Sequence, residues 1–151
     1  MEPTKLIEQS LDLRWPWYVE EIEVDPAARR VDLHLNFEVG GTFSCGTCGA
    51  DDCKAYDTTS SRWRHLPLFE YDSYVRARGP RIQCPSCGVR RARLPWARAR
   101  TGFTHAFEEQ LAAMAEQVPI VAIARLLGEH DTRLGYVLRQ LERDEGSRAA
   151  L

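Results

Sequence analysis

Apolar and polar residues alternate through residues 15–39, in WYVEEIEV and RVDLHLNFEV, on either side of the tetrapeptide DPAA. A period of two sends successive side chains to opposite faces of an extended chain, so this stretch predicts two strands joined as a hairpin. In the second segment Val31, Leu33, Leu35, Phe37 and Val39 share one face, while Asp32, His34, Asn36 and Glu38 share the other. That is the pattern of a half-buried strand, and the glycines at 40 and 41 end it. Further short strands are predicted at 63–69, 73–78 and 81–84, with loops around DTTSS and RGP.

Beyond Thr104 the apolar period lengthens to about 3.6 residues. Phe107, Leu111, Met114, Ala115 and Val118 form one helical stripe, with Thr104 as N-cap and Glu108 and Glu109 in the favourable first turn. Pro119 opens a second helix with Ile120, Ile123, Ala124 and Leu127 inward, and Gly128 closes it. Asp131 caps a third, with Leu134, Val137, Leu138 and Leu141 inward, and the tail RDEGSRAAL is expected to fray. A small residue where two helices cross, a glycine in the turn and apolar residues facing back together make a helix-turn-helix pattern. The third helix is then the reading helix. Thr132, Arg133, Tyr136, Arg139 and Gln140 lie off its apolar stripe, and arginine or glutamine can pair with base edges in the major groove. Gly135 permits close approach, while Glu129 stands where an apolar residue is more usual.

The cysteines add chemistry. Cys45-Gly-Thr-Cys48-Gly and Cys84-Pro-Ser-Cys87-Gly are two C-x-x-C-G turns separated by 35 residues. Each such turn aims two thiolates at one point, and the glycine that follows allows the positive backbone angle that brings amides to the sulfurs. Four thiolates complete a tetrahedral Zn²⁺ site whose filled shell has no place for a catalytic water, so the metal is structural. The separation requires an inserted hairpin. A thioredoxin-like redox pair would need one C-x-x-C opening a helix, and these flanks are strand-like. Cys53 reads as a spare thiol, with replacement of Cys48 as the alternative; His65 reads as a packed or hydrogen-bonded side chain, with ligation as the alternative.

With 151 residues, 44% of them apolar, and four tryptophans, the chain has the material for a folded core. No run approaches a membrane span and MEPTKLIEQS lacks the design of a signal peptide, which predicts a cytoplasmic protein whose cysteines bind metal rather than form disulfides. The net charge of −2 conceals an asymmetry: residues 1–53 carry 4 basic and 11 acidic side chains, 54–104 carry 11 and 3, and 105–151 carry 5 and 8. Local clusters of arginine, rather than the total, decide whether phosphates are met. The middle segment is therefore the candidate backbone contact, with Arg90, Arg91, Arg93, Arg98 and Arg100 following the second cysteine pair.

The expected fold class is α+β, a small antiparallel strand-rich zinc-ribbon-like module followed by a three-helix helix-turn-helix module. The boundaries are an N-terminal extension at 1–14, the four-cysteine module at 15–103, the helical module at 104–143 and a frayed tail at 144–151. CGTCGADDCKAYDT, RWRHLPLF, CPSCGVRRARLPWARARTGFTHAFE and ARLLGEHDTRLGYVL occur in that order. Over roughly residues 15–141 the chain thereby resembles the amino-terminal part of the ISL3 family of insertion-sequence transposases. The resemblance implies Zn²⁺ on Cys45, Cys48, Cys84 and Cys87 and a helix-turn-helix from Pro119 to Arg139. It implies double-stranded transposon ends as the partner, with full-length transposase or a second copy of the chain as protein partners. The family's catalytic domain, of ribonuclease H type, follows these modules, and the chain stops at Leu151. The expectation is end binding without strand transfer, since two-metal cleavage needs acids on a separate fold. Tyr56 replaces a histidine that family members often carry, which weakens a second metal pair with Cys53. The alternative reading is a zinc-ribbon adaptor for another protein, or a transcriptional regulator derived from a transposase.

Overall fold

The computed structural model describes residues 2–149, and side chains as far as residue 146. The chain divides into two compact units, Met1–Thr104 and His105–Leu151. The first contains α1 (Pro3–Ser10), β1 (Trp17–Asp25), β2 (Arg30–Phe37), β3 (Thr42–Phe43), β4 (Cys53–Leu68), β5 (Tyr71–Cys84) and β6 (Gly88–Arg91). The second contains α2 (His105–Ala115), α3 (Ile120–Leu127) and α4 (Asp131–Ala149). The described residues thus hold four helices where three are predicted. The additional one, α1, lies in the N-terminal segment and belongs to the first unit: Leu11 is buried in its core and Glu8 accepts a hydrogen bond from the Val19 amide at 3.2 Å.

The predicted hairpin is β1–β2, with Trp17 opposite Phe37 and Asp25 opposite Arg30. Asp25 holds its turn by accepting from the Ala28 amide at 3.1 Å. The strands run in the order β1-β2-β5-β4-β3, and β6 pairs with β5. All pairs are antiparallel except β2 with β5, where Arg30–His34 run alongside Asp72–Arg76 in the same direction. The parallel pair departs from the expected antiparallel module. Its cause is the inserted hairpin, whose second strand returns beside β2 after the chain has passed through the first cysteine turn.

That hairpin is longer than its composition suggests. DTTSS and RGP, predicted as loops, lie within β4 and β5 and pair with each other, Thr59 against Gly79 and Thr58 against Pro80. Neighbouring backbone hydrogen bonds satisfy these polar residues, and the Pro80 carbonyl accepts from the Ala92 amide at 3.0 Å. Val39, placed by alternation on the buried face, is fully exposed, because β2 ends at Phe37 and the chain turns, with the Gly41 amide donating to the Glu38 carbonyl. Asp32, on the predicted polar face, is buried between Arg30 and Arg76 at 3.2 and 3.0 Å.

The core of the first unit joins Leu33, Leu35, Val75 and Ile82 to an aromatic cluster. Trp96 packs edge-on against Trp17 at 4.7 Å and Trp63 at 5.4 Å between ring centroids. In the second unit Phe107 and Leu111 of α2, Ile123 and Ala124 of α3, and Leu134 and Val137 of α4 are buried. Gly128 closes α3 with φ 68° and ψ 34°, the left-handed cap that glycine adopts without strain. Helix α4 continues to Ala149 where a frayed tail is predicted, since Arg143, Glu145, Arg148 and Ala149 favour helix and outweigh Asp144 and Gly146; residues 150 and 151 of that tail lie outside the described residues.

Candidate metal centre and nucleic-acid interface

The two C-x-x-C-G turns meet at one end of the sheet. The first follows β3; its Cys45 amide donates to Ala50 and its Cys45 carbonyl accepts from Gly49, at 2.8 and 2.9 Å. The second links β5 to β6. Gly49 and Gly88 both have φ 79°, the angle for which glycine is required after a cysteine pair. The turns are tied together by a bridge between Cys45 and Ala92, with Gly46 donating to the Arg91 carbonyl at 3.0 Å and Arg93 to that of Ser44 at 2.9 Å. A Cβ at Gly46 would stand 2.6 Å from that Arg91 oxygen, so this position accepts no larger residue without opening the bridge.

The sulfurs of Cys45, Cys48, Cys84 and Cys87 all lie within 4.8 Å of one another, with Cys48 and Cys84 at 3.4 Å. A tetrahedron with metal–sulfur bonds of about 2.3 Å has edges of about 3.8 Å, so the cluster is compact enough for four sulfurs to share one zinc ion. The electrostatics agree. The amide of Cys48, followed by that of Thr47, lowers the Cys45 thiol to about 6, and the amides of Cys87 and Ser86 lower Cys84. Next to these the Cys48 side chain and burial push Cys87 up to about 12. Four adjacent sulfurs cannot all be anionic unless a cation sits among them, and a thiolate-binding divalent metal would supply it.

Cys53 is buried outside this cluster, its thiol 3.5 Å from the Ala50 carbonyl. Burial, then the neighbouring cysteines, raises it, which keeps it protonated. Tyr56 is exposed, with the Arg81 guanidinium over its ring at 5.6 Å. Glu23, Asp32 and His34 also bring ligand atoms together, but the arginines beside Asp32 already occupy the place of a cation.

His65 is buried with Nδ1 2.8 Å from Thr104 Oγ1, and burial lowers its pKa to about 4. The unfolded histidine, near 6.5, takes up its proton first as pH falls, so the stability contributed above pH 6.5 is lost progressively towards pH 4. By pH 5 the loss is about 2 kcal/mol. His65→Gln should therefore lose less stability than the unsubstituted protein between pH 7 and 5, by roughly that amount. Urea unfolding at both pH values measures it, and parallel pH dependence in the two proteins would refute the neutral buried histidine.

Among the arginines predicted for phosphates, Arg90 and Arg91 are exposed on β6 and Arg93 is exposed beside the first cysteine turn, where its guanidinium approaches Gly49. Arg100 is exposed in a turn at φ 74°, whereas Arg98 is half-buried, because the chain folds inward at Trp96 and Ala97. In the second unit Thr132, Arg133, Tyr136 and Arg139 are exposed or half-exposed and Gln140 half-exposed, opposite buried Leu134 and Val137. Glu129 bonds Arg133 at 3.1 Å, which accounts for an acid in an apolar position. A Cβ at Gly135 would be 3.7 Å from Ile120 Cδ1, the close crossing of α3 and α4. Arg62, Arg76 and Arg78 lie in the basic middle segment but are not among the arginines singled out there for phosphates, although the alternation of Arg76 and Arg78 in YVRAR marks one strand face.

Comparison with known families matches residues 41–93 to the zinc-finger of transposase IS204/IS1001/IS1096/IS1165, and residues 92–141 to the helix-turn-helix domain of transposase family ISL3. A transposase for insertion sequence element IS1557 from Mycobacterium tuberculosis is 32% identical over 85 residues, 55% of this chain and 19% of the relative. A transposase for IS1001 from Bordetella parapertussis is 30% identical over 125 residues, 79% of this chain and 30% of the relative. The chain thus spans less than a third of the length of these relatives. No solved structure matches.

Proposed function

Because the chain belongs to the ISL3 family of transposases, carrying its zinc-finger and helix-turn-helix domains, we propose that it recognises the terminal inverted repeats of an insertion element. The observation that carries this reading is the open face of α4, where Thr132, Arg133, Tyr136, Arg139 and Gln140 stand opposite the buried stripe. Helices α2–α4 act as the helix-turn-helix module, α4 entering the major groove. Zn²⁺ held by Cys45, Cys48, Cys84 and Cys87 fixes the end of the sheet from which Arg90, Arg91 and Arg93 meet phosphates, with Arg100 and the less open Arg98 nearby. The ion supplies rigidity and no reaction step, since four thiolates fill its coordination shell.

In this reading the segment binds DNA in the cytoplasm and does not cut it. No helix among the described residues is long and apolar enough to cross a membrane. Full-length transposase or a second copy of the chain is the protein partner, and the segment alone should shield an element end from the complete enzyme.

The roles separate experimentally. Replacing Arg90, Arg91 and Arg93 with alanine should weaken binding to all duplexes alike and reduce the salt slope by about 0.9 for each phosphate no longer neutralised. Arg139→Ala should instead cost about 1–3 kcal/mol of preference for the terminal repeat over a scrambled duplex. Fluorescence anisotropy at several salt concentrations, with both duplexes, reads both effects. An Arg139 variant that bound the two duplexes with equally reduced affinity would remove α4 from the reading role.

A further inference from the structure

Strands β1, β2, β4 and β5 line a cationic groove. Its volume is about 430 Å³, and Glu20, His34, Asn36, Arg62, Arg76 and Arg78 contribute to its walls. Arg62 and Arg76 are direct cross-strand partners on β4 and β5. Like charges directly opposite each other destabilise a strand pair, so this register carries a local cost that no neighbouring carboxylate removes for Arg62. The Arg62 guanidinium lies 4.8 Å from the Tyr74 ring, and Arg78 lies 4.9 Å from the Phe37 ring while donating to Asn36 Oδ1 at 3.0 Å. Neither Arg62 nor Arg78 has a carboxylate partner among the described residues. Arg76 shares Asp32 with Arg30.

Two guanidiniums without an ion-pair partner are thus held by aromatic rings, Arg62 across the strand pair from Arg76 and Arg78 two residues along β5 from it. Stacking limits their freedom before any ligand arrives, and the exposed N–H groups remain free to donate to oxyanions. We propose that this face is a second phosphate-contact surface, on which Arg62, Arg76 and Arg78 receive the phosphodiester backbone of duplex DNA. Glu20, the acid in the groove lining, lies on β1, as does Glu23 beside His34, so the DNA runs along the β4–β5 side. An anion between Arg62 and Arg76 would turn the repulsive pair into a shared contact. This inference rests on the DNA-binding reading above and adds to it a surface distinct from β6 and α4.

The test uses the whole zinc-loaded chain and a labelled duplex of roughly 20 base pairs and arbitrary sequence, titrated between about 50 and 200 mM salt. Arg62→Gln with Arg78→Gln should weaken binding about tenfold and lower the salt slope by about 1.8, while Arg62→Lys with Arg78→Lys should keep the slope. Arg14→Gln with Arg29→Gln, an equal charge change elsewhere on the first unit, should leave the slope within about 0.5. If the double glutamine variant loses zinc, the single variants decide, each expected to lower the slope by about 0.9. Unchanged slope and affinity in the glutamine variants, or an equal loss in the Arg14/Arg29 control, would overturn this surface alone. Absence of salt-dependent binding by the unsubstituted chain would overturn the DNA-binding reading itself.

Discussion

Cys45→Ser or Cys84→Ser is expected to abolish stoichiometric zinc binding and to unfold residues 40–100, leaving the helices of the second unit formed. Structural zinc in small domains contributes an apparent free energy of about 10–16 kcal/mol at neutral pH, more than a domain of this size holds in reserve. The cysteine end has little else to hold it. Strand β3 is 2 residues long and β6 is 4, and the two cysteine turns are joined through the short Cys45–Ala92 bridge. The tryptophans make the outcome easy to read, because Trp15, Trp17, Trp63 and Trp96 all lie in the first unit and none in the second. Tryptophan emission should therefore shift to that of exposed indole while much of the helical circular dichroism remains. Native emission and unchanged stability in a protein with less than about half an equivalent of zinc would refute the four-cysteine assignment.

Trp96→Ala is expected to cost about 3–5 kcal/mol, enough to leave the first unit only marginally folded. Trp96 is 1% exposed and stands between Trp17 and Trp63, so truncation opens a cavity that two rigid indoles cannot collapse to fill. Its own N–H has no hydrogen-bond partner among the described residues. Trp96→Phe removes that unpaired donor as well as some volume and should cost clearly less than Trp96→Ala. Trp15→Ala, at a side chain 66% exposed, should change stability by no more than about 0.5 kcal/mol. Urea denaturation of the four proteins at one pH compares them. A Trp96→Ala protein within about 1 kcal/mol of the original would show that the cluster does not anchor the segment after β6.

The features legible in the sequence are those whose physics is local. A cysteine pair followed by glycine specifies its own turn, and Gly49 and Gly88 take the same positive φ. Pro119 and Gly128 bound α3 because each restricts or frees its own backbone, and the periods of two and 3.6 identify β1, β2 and the buried stripes of α2–α4. Local composition misjudged the long hairpin. DTTSS and RGP carry turn-forming residues, yet each lies in a strand because the other supplies its pairing partner. The parallel alignment of β2 with β5, the burial of Asp32 between two arginines, the packing of α1 and the placing of Arg62 opposite Arg76 depend on partners distant along the chain. The sequence by itself determined the zinc-type cysteine turns, the helix boundaries at Pro119 and Gly128, and the apolar faces. Only the tertiary structure decided strand register, which acids lie beside which arginines, and which cations are left without a counter-charge, because those energies arise between segments whose proximity no local pattern encodes.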